Sequence, residues 1–306
     1  MFQAIAEAIE FPDAVVFGTA KYTHAVFGGA SAAFENAIKT ALPGPCAFVD
    51  GYVKAHAHKD YFAKLPLMNQ YDVLFAAVLY LVVIAALKPI GGAIGKLQLK
   101  LFAQLHNFFL FSLSFYMMSS IAITAVASGY SLWNNGVQPL SSQNGWRMAK
   151  LIWLFYVSKL PEFIDTVIMM LKHNYRQVSF LHMYHHCTIF IIWFIVTLES
   201  PGGEAYFSAM LNSGVHVVMY GYYFGTSVFP EGRVRKVLDR FKFFITYGQM
   251  TQFSVNCVQS VFDLYIAPSP NYPRHLVELL FYYMLTLLAL FYNFLRKNKP
   301  AKNKKE

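Results

Sequence analysis

Val178-Ser-Phe-Leu-His182-Met183-Tyr184-His185-His186-Cys187-Thr-Ile-Phe-Ile-Ile-Trp-Phe-Ile-Val-Thr-Leu198 is an apolar run that carries three histidines near its start. It is about 20 residues long, enough to cross a bilayer as a helix. At helical spacing the histidines fall at i, i+3 and i+4, so one face presents three imidazoles. Ionisable groups at membrane depth are costly and mark function. The bland alternative, a chance cluster of core histidines, does not explain three on one face.

The rest of the chain agrees with a membrane reading. Of 306 residues, 56% are hydrophobic, 17% aromatic and only 13% charged, with mean hydropathy +0.39; soluble domains carry about 25% charged residues. We expect an all-α polytopic membrane protein with seven transmembrane helices, at about 70–90, 104–129, 148–170, 178–198, 205–226, 241–263 and 276–295. Pro161 lies inside the third, tolerable where neighbours re-satisfy the freed carbonyl.

Charge placement predicts the orientation. Lys88, Lys96 and Lys100, then Lys172 and Arg176, then Arg233, Arg235, Lys236, Arg240 and Lys242, and finally Arg296 onward fall in alternate connections. The opposite connections hold only Arg147, Lys150 and Arg274 as basic residues, with Glu199 and Glu204. By the positive-inside rule the C-terminus is cytosolic and the N-terminus lumenal. The net charge of +9 is therefore mostly a topology signal, and no basic, aromatic-interleaved patch suggests nucleic acid. Lys302 and Lys304 in the final residues match a dilysine retrieval signal of endoplasmic-reticulum membrane proteins, though short basic tails are common.

Residues 1–69 form an N-terminal extension without a signal-peptide pattern, in which about 4–9 and 30–41 read as short amphipathic helices, the second broken by Pro43 and Pro45. His24, His56 and His58 there are too few for a metal site. Cys46, Cys187 and Cys257 have neither metal-type spacing nor a disulfide framework.

Three other predicted helices carry polar stripes: Lys159, Glu162, Asp165 and Thr166; Asn212, His216, Tyr220 and Tyr223; Thr246, Gln249, Gln252 and Asn256. Facing lipid would be expensive, so the stripes turn inward around a polar chamber. Each also has a structural reading: an interhelical ion-pair lock for Lys159, Glu162 and Asp165, hydrogen-bond glue for Gln249 and Gln252, and aromatic filling for the tyrosines.

Histidine clusters in membranes suit two chemistries. Metal binding, as in di-iron desaturases and hydroxylases, draws on about eight imidazoles from several boxes. Only His106, the cluster and His216 are placed to contribute, enough for one zinc at most. Acyl transfer instead needs an imidazole as nucleophile or base, with the acyl-imidazole shielded from water.

At this point the motifs resemble those of the ELO family of fatty-acid elongases. Lys159-Leu-Pro-Glu162-Phe-Ile-Asp165-Thr166 is similar to its K-x-x-E-x-x-D-T motif, and 182–186 to its H-x-x-H-H box. Asn212, Val215, His216, Met219, Tyr220, Tyr222 and Tyr223 resemble N-x-x-V-H-x-x-M-Y-x-Y-Y, and Thr246, Gln249, Gln252 and Phe253 resemble T-x-x-Q-x-x-Q-F. The resemblance covers about 68–298. It implies a seven-helix endoplasmic-reticulum protein in which helices two to seven form a barrel around an acyl tunnel, with the first helix outside.

The implied activity is the very-long-chain 3-oxoacyl-CoA synthase reaction, condensing acyl-CoA with malonyl-CoA. No bound cofactor or metal is implied. Ketoacyl-CoA reductase, dehydratase and enoyl reductase become plausible partners, and a homodimer is possible. His185 is the implied nucleophile with His216 facing it. His182 and His186 orient the chamber or move protons, and Asn212 donates to an oxyanion. Arg233 and Lys236, with neighbouring basic residues, offer contacts to the CoA phosphates.

Gln177-Val-Ser-Phe-Leu-His182 with Tyr184 resembles the branch acting on polyunsaturated chains, although Met183 replaces that branch's usual valine. The expected organisation is an extension (1–69), an elongase domain (70–298) and a basic cytosolic tail (299–306). Two readings compete: a histidine-box desaturase or hydroxylase, and a non-enzymatic seven-span transporter or receptor.

Overall fold

A computed structural model describes residues 1–58, 64–268 and 271–297, without side chains at 19–27 and 243. The Lys302 and Lys304 signal, the 299–306 tail and the His24 side chain lie outside the described residues. The regular structure of the described residues is all helical, in order α1 (Phe2–Ala8), α2 (Asp13–Ala41), α3 (Pro43–His56), α4 (Gln70–Ile94), α5 (Lys100–Ala127), α6 (Gln143–Val157), α7 (Lys159–Leu171), α8 (Phe180–Glu199), α9 (Ala205–Val228), α10 (Gly232–Val261) with a π-turn at Phe262–Ile266, and α11 (Arg274–Lys297).

The helix starts follow local chemistry. Asn69 caps α4, accepting from Tyr71 N, and Ser142 caps α6, accepting from Gly145 N. Ser179 caps α8, its hydroxyl accepting the backbone N–H of His182, which fixes where the histidine face begins. The third expected span is not one helix. It breaks at Ser158 into α6 and α7, because Pro161 has no N–H to offer the Val157 carbonyl; the proline is instead accommodated in the first turn of α7.

Four of these helices, α4, α5, α8 and α11, are long and apolar enough to cross a membrane. Large apolar side chains of α4 and α5, among them Val82, Leu101, Leu105, Phe108 and Phe115, are exposed, as a lipid-facing surface requires. The α6–α7 segment, α9 and α10 are not among the four; the same polar stripes and the Ser158 break that make them interesting lower their apolar continuity.

Consecutive packing partners are α5 with α9, α9 with α10, α10 with α11, α11 with α8, α8 with α6 and α7, and these with α5; α4 packs against α7 and α8. The 1–58 segment docks on the bundle end where α4, α6 and α11 begin and α8 finishes. Glu10 receives Arg147 and Lys150, Asp13 receives Lys150, Asp50 receives Gln70 and Tyr71, Ser31 donates to Asp72, and Tyr52 donates to Glu199. The 4–9 expectation corresponds to α1. The second amphipathic stretch belongs to a longer helix, α2, which ends just before Pro43, and α3 begins with that proline at its first turn. Burial on Glu10 raises its carboxyl affinity for a proton, but Lys150 and Arg147 outweigh this and hold it below its ordinary value.

Candidate active site

The three histidines of α8 fan across the bundle. His182 Nε2 lies 2.7 Å from Thr166 Oγ1 on α7, which in turn meets the Tyr80 hydroxyl of α4 at 3.0 Å. His185 Nδ1 lies 3.4 Å from the Tyr283 hydroxyl on α11. His186 stands between them, its ring 4.3 Å from that of His182 and flanked by Tyr80 and Phe163; its buried Nδ1 has no hydrogen-bond partner.

The α7 stripe divides its labour. Lys159 and Glu162 are 1% and 3% exposed and paired at 2.8 Å, with the ammonium 4.1 Å above the Phe155 ring. Such a buried pair offsets desolvation only if its geometry is good and its spare lone pairs are used. Glu162 Oε1 also lies 3.3 Å from His216 Nδ1 on α9, without forming a hydrogen bond to it. Asp165 serves a second cluster, accepting from Tyr220 at 2.7 Å and meeting His106 Nε2 of α5 at 2.9 Å.

A cavity is lined by His185, Ile189, Trp193 and Val196 of α8 and reaches Glu204 and Asp263. This 185, 189, 193, 196 progression is one face of α8. Asn212 and Gln252 line the same cavity, Asn212 Nδ2 donating to Gln252 Oε1 at 3.4 Å. Beyond them the wall is Asn256, Gln259 and Asp263, with Gln259 donating to Glu204 at 2.9 Å. A mostly apolar cavity with a histidine in its wall suits an aliphatic ligand.

His182, His185, His186, His216, Lys159, Glu162, Asp165, Thr166 and Tyr220 therefore converge, and Asn212 and Gln252 adjoin them across the cavity. Tyr223 is half-exposed and packs edge-on against Tyr220. Gln249 is half-buried and does not line the cavity. Arg233 and Lys236 are exposed on the first turns of α10, at the bundle end opposite the docked 1–58 segment. Sequence reasoning missed Tyr80, His106 as a partner of Asp165, and Tyr283. None of the three belongs to a polar stripe read from the sequence, so spacing alone did not single it out.

The family model described as ELO: GNS1/SUR4 family matches residues 66–306. The chain is 49% identical over 305 residues, 99% of its length and 79% of the relative's, to Fatty acid elongase 6 of Leishmania major. It is 35% identical over 68% of its length to Very long chain fatty acid elongase 4 of Macaca mulatta, spanning 65% of that protein. It is 37% identical over 62% of its length to Very long chain fatty acid elongase 5 of Mus musculus, spanning 62% of that protein. The Leishmania match, unlike the family model, extends through the N-terminal segment. The chain belongs to the ELO (GNS1/SUR4) family of fatty acid elongases.

Proposed function

We propose that the chain carries out the condensing step of fatty-acid elongation as a very-long-chain 3-oxoacyl-CoA synthase. It joins a long-chain acyl-CoA to malonyl-CoA, releasing CO2 and free CoA and giving a 3-ketoacyl-CoA two carbons longer. The observation that carries this reading is the cavity with His185 at its head and an apolar wall behind: it shields a reactive acyl-imidazole from water and houses its chain.

The residues divide the chemistry as follows. His185 attacks the thioester carbonyl, the C–S bond breaks, and CoA leaves as the thiol, the imidazole proton balancing the thiolate. Asn212 Nδ2 stabilises the developing oxyanion. Loss of CO2 from malonyl-CoA leaves an enolate that attacks the acyl carbonyl, and the C–N bond to His185 breaks; solvent returns the imidazole proton. His216, held beside Glu162, and His182, held by Thr166, position the groups and move protons. None of these steps uses a bound metal or cofactor.

In this reading seven spans cross the endoplasmic-reticulum membrane, with α6 and α7 together making the third. The closed circuit of packing through α5, α9, α10, α11, α8 and α6–α7, with α4 outside it, supports the barrel. The C-terminus is cytosolic, and the 1–58 cap is lumenal. Arg233 and Lys236 then sit at the cytosolic mouth, where CoA phosphates arrive. The acyl chain is polyunsaturated, supported by the sequence from Gln177 to Tyr184. The reductases and dehydratase of the cycle are its partners, and it can form a homodimer.

The test is a two-carbon extension assay on purified protein, with labelled malonyl-CoA, saturated, monounsaturated and polyunsaturated acyl-CoAs, and no NADPH. Labelled 3-ketoacyl-CoA is expected, most from the polyunsaturated substrates. No product from folded protein would overturn the reading.

A further inference from the structure

Tyr283 belongs to none of the polar stripes. It is buried on α11, and its hydroxyl touches two groups of α8: Thr188 Oγ1 at 2.9 Å and His185 Nδ1 at 3.4 Å. Thr188 Oγ1 is also 2.7 Å from the Tyr184 carbonyl one turn back.

The direction of each proton in this chain follows from inventory. A carbonyl oxygen only accepts, so the Thr188 proton is committed to Tyr184. Thr188 can then only accept from Tyr283, which commits the Tyr283 proton. The Tyr283 oxygen has lone pairs left and no proton, so toward His185 it can only accept. Nδ1 of His185 must carry the hydrogen, and in a neutral imidazole the lone pair is then on Nε2.

We propose that Thr188 and Tyr283 are a hydroxyl relay that fixes His185 in its Nδ1–H tautomer and so makes Nε2 the nitrogen that takes the acyl group. Free histidine favours the opposite tautomer, with the proton on Nε2, which is not nucleophilic at that atom. The relay therefore holds the side chain in the form that attack requires, with the lone pair on the side of the ring away from Tyr283. Thr188 and Tyr283 are positioning residues in this scheme: their hydroxyls act through His185. The proposal rests on His185 as the acylated residue.

Its signature is an inverted order of damage. Thr188→Val frees the Tyr283 proton, which turns to His185 Nδ1 and drives the ring into the wrong tautomer. Tyr283→Phe merely releases the ring to choose. Thr188→Ser keeps the relay. The acyl-enzyme formation rate with acyl-CoA alone should fall more than tenfold in Thr188→Val and less in Tyr283→Phe, and should recover to within twofold of the parent in Thr188→Ser. The apparent KM should move less than twofold throughout.

Nitrogen-15 spectra of histidine-labelled parent protein, with His185→Gln to assign the resonance, should show His185 protonated at Nδ1. This readout needs no relay variant to fold. A His185 resonance protonated at Nε2 overturns the relay, as does a greater loss in Tyr283→Phe than in Thr188→Val. Acyl-enzyme formation by His185→Ala would instead remove the nucleophile assignment, while the nitrogen spectrum still decided the tautomer, so the two failures are distinguishable.

Discussion

His216 Nδ1 lies 3.3 Å from Glu162 Oε1, the same carboxylate oxygen that holds Lys159 Nζ at 2.8 Å. One buried carboxylate thus joins α7 to α9, pairing with Lys159 and standing beside His216.

Removing either partner of the lock leaves an uncompensated buried charge. Glu162→Gln and Lys159→Met should each destabilise the folded protein by about 3–5 kcal/mol. The double variant Lys159→Met/Glu162→Leu should recover much of that loss, yet stay inactive because His216 has lost its carboxylate. Thermal unfolding in detergent alongside the extension assay checks both halves. A double variant as unstable as the singles would show that the pair does not act as a unit.

His185→Ala should form no acyl-enzyme with acyl-CoA alone and lose condensation by on the order of 10³-fold or more. Intact-protein mass spectrometry reads the first. An acyl adduct persisting elsewhere on the His185→Ala protein would reassign the nucleophile.

Arg233→Gln/Lys236→Gln should raise the apparent KM for acyl-CoA by about 2- to 30-fold, since two exposed charge pairs contribute about 0.2–1 kcal/mol each. The dependence of KM on ionic strength should flatten at the same time. Unchanged kinetics in correctly inserted protein would exclude the two residues from CoA binding.

The docked N-terminal segment should respond to acid. Lys150 and Arg147 depress the Glu10 carboxyl below its ordinary value of 4.5. A depressed carboxylate contributes docking energy that is present above the ordinary value and is lost as pH falls through the depressed one. Hydrogen exchange in α1, corrected for intrinsic rate, should rise as pH drops below about 4.5. Glu10→Gln should produce the same loosening at neutral pH, by about 1–3 kcal/mol.

Much of this site is legible in sequence because helix periodicity is local. The i, i+3, i+4 spacing of His182, His185 and His186 shows that they share a helix and a side. The Lys159 to Thr166 and Asn212 to Tyr220 stripes are legible for the same reason. Hydropathy and charge likewise marked the apolar helices α4, α5, α8 and α11.

The sequence by itself determined the long apolar helices and the polar stripes on several of them, since both follow from neighbours within two turns. Tertiary structure decided which side chain meets which. It turns His182 to Thr166, His185 to Tyr283 and His106 to Asp165. It also seats Glu10 on Arg147 and Lys150, more than a hundred residues away. Those pairings depend on how separate helices rotate and slide against one another, and local spacing carries no record of that packing.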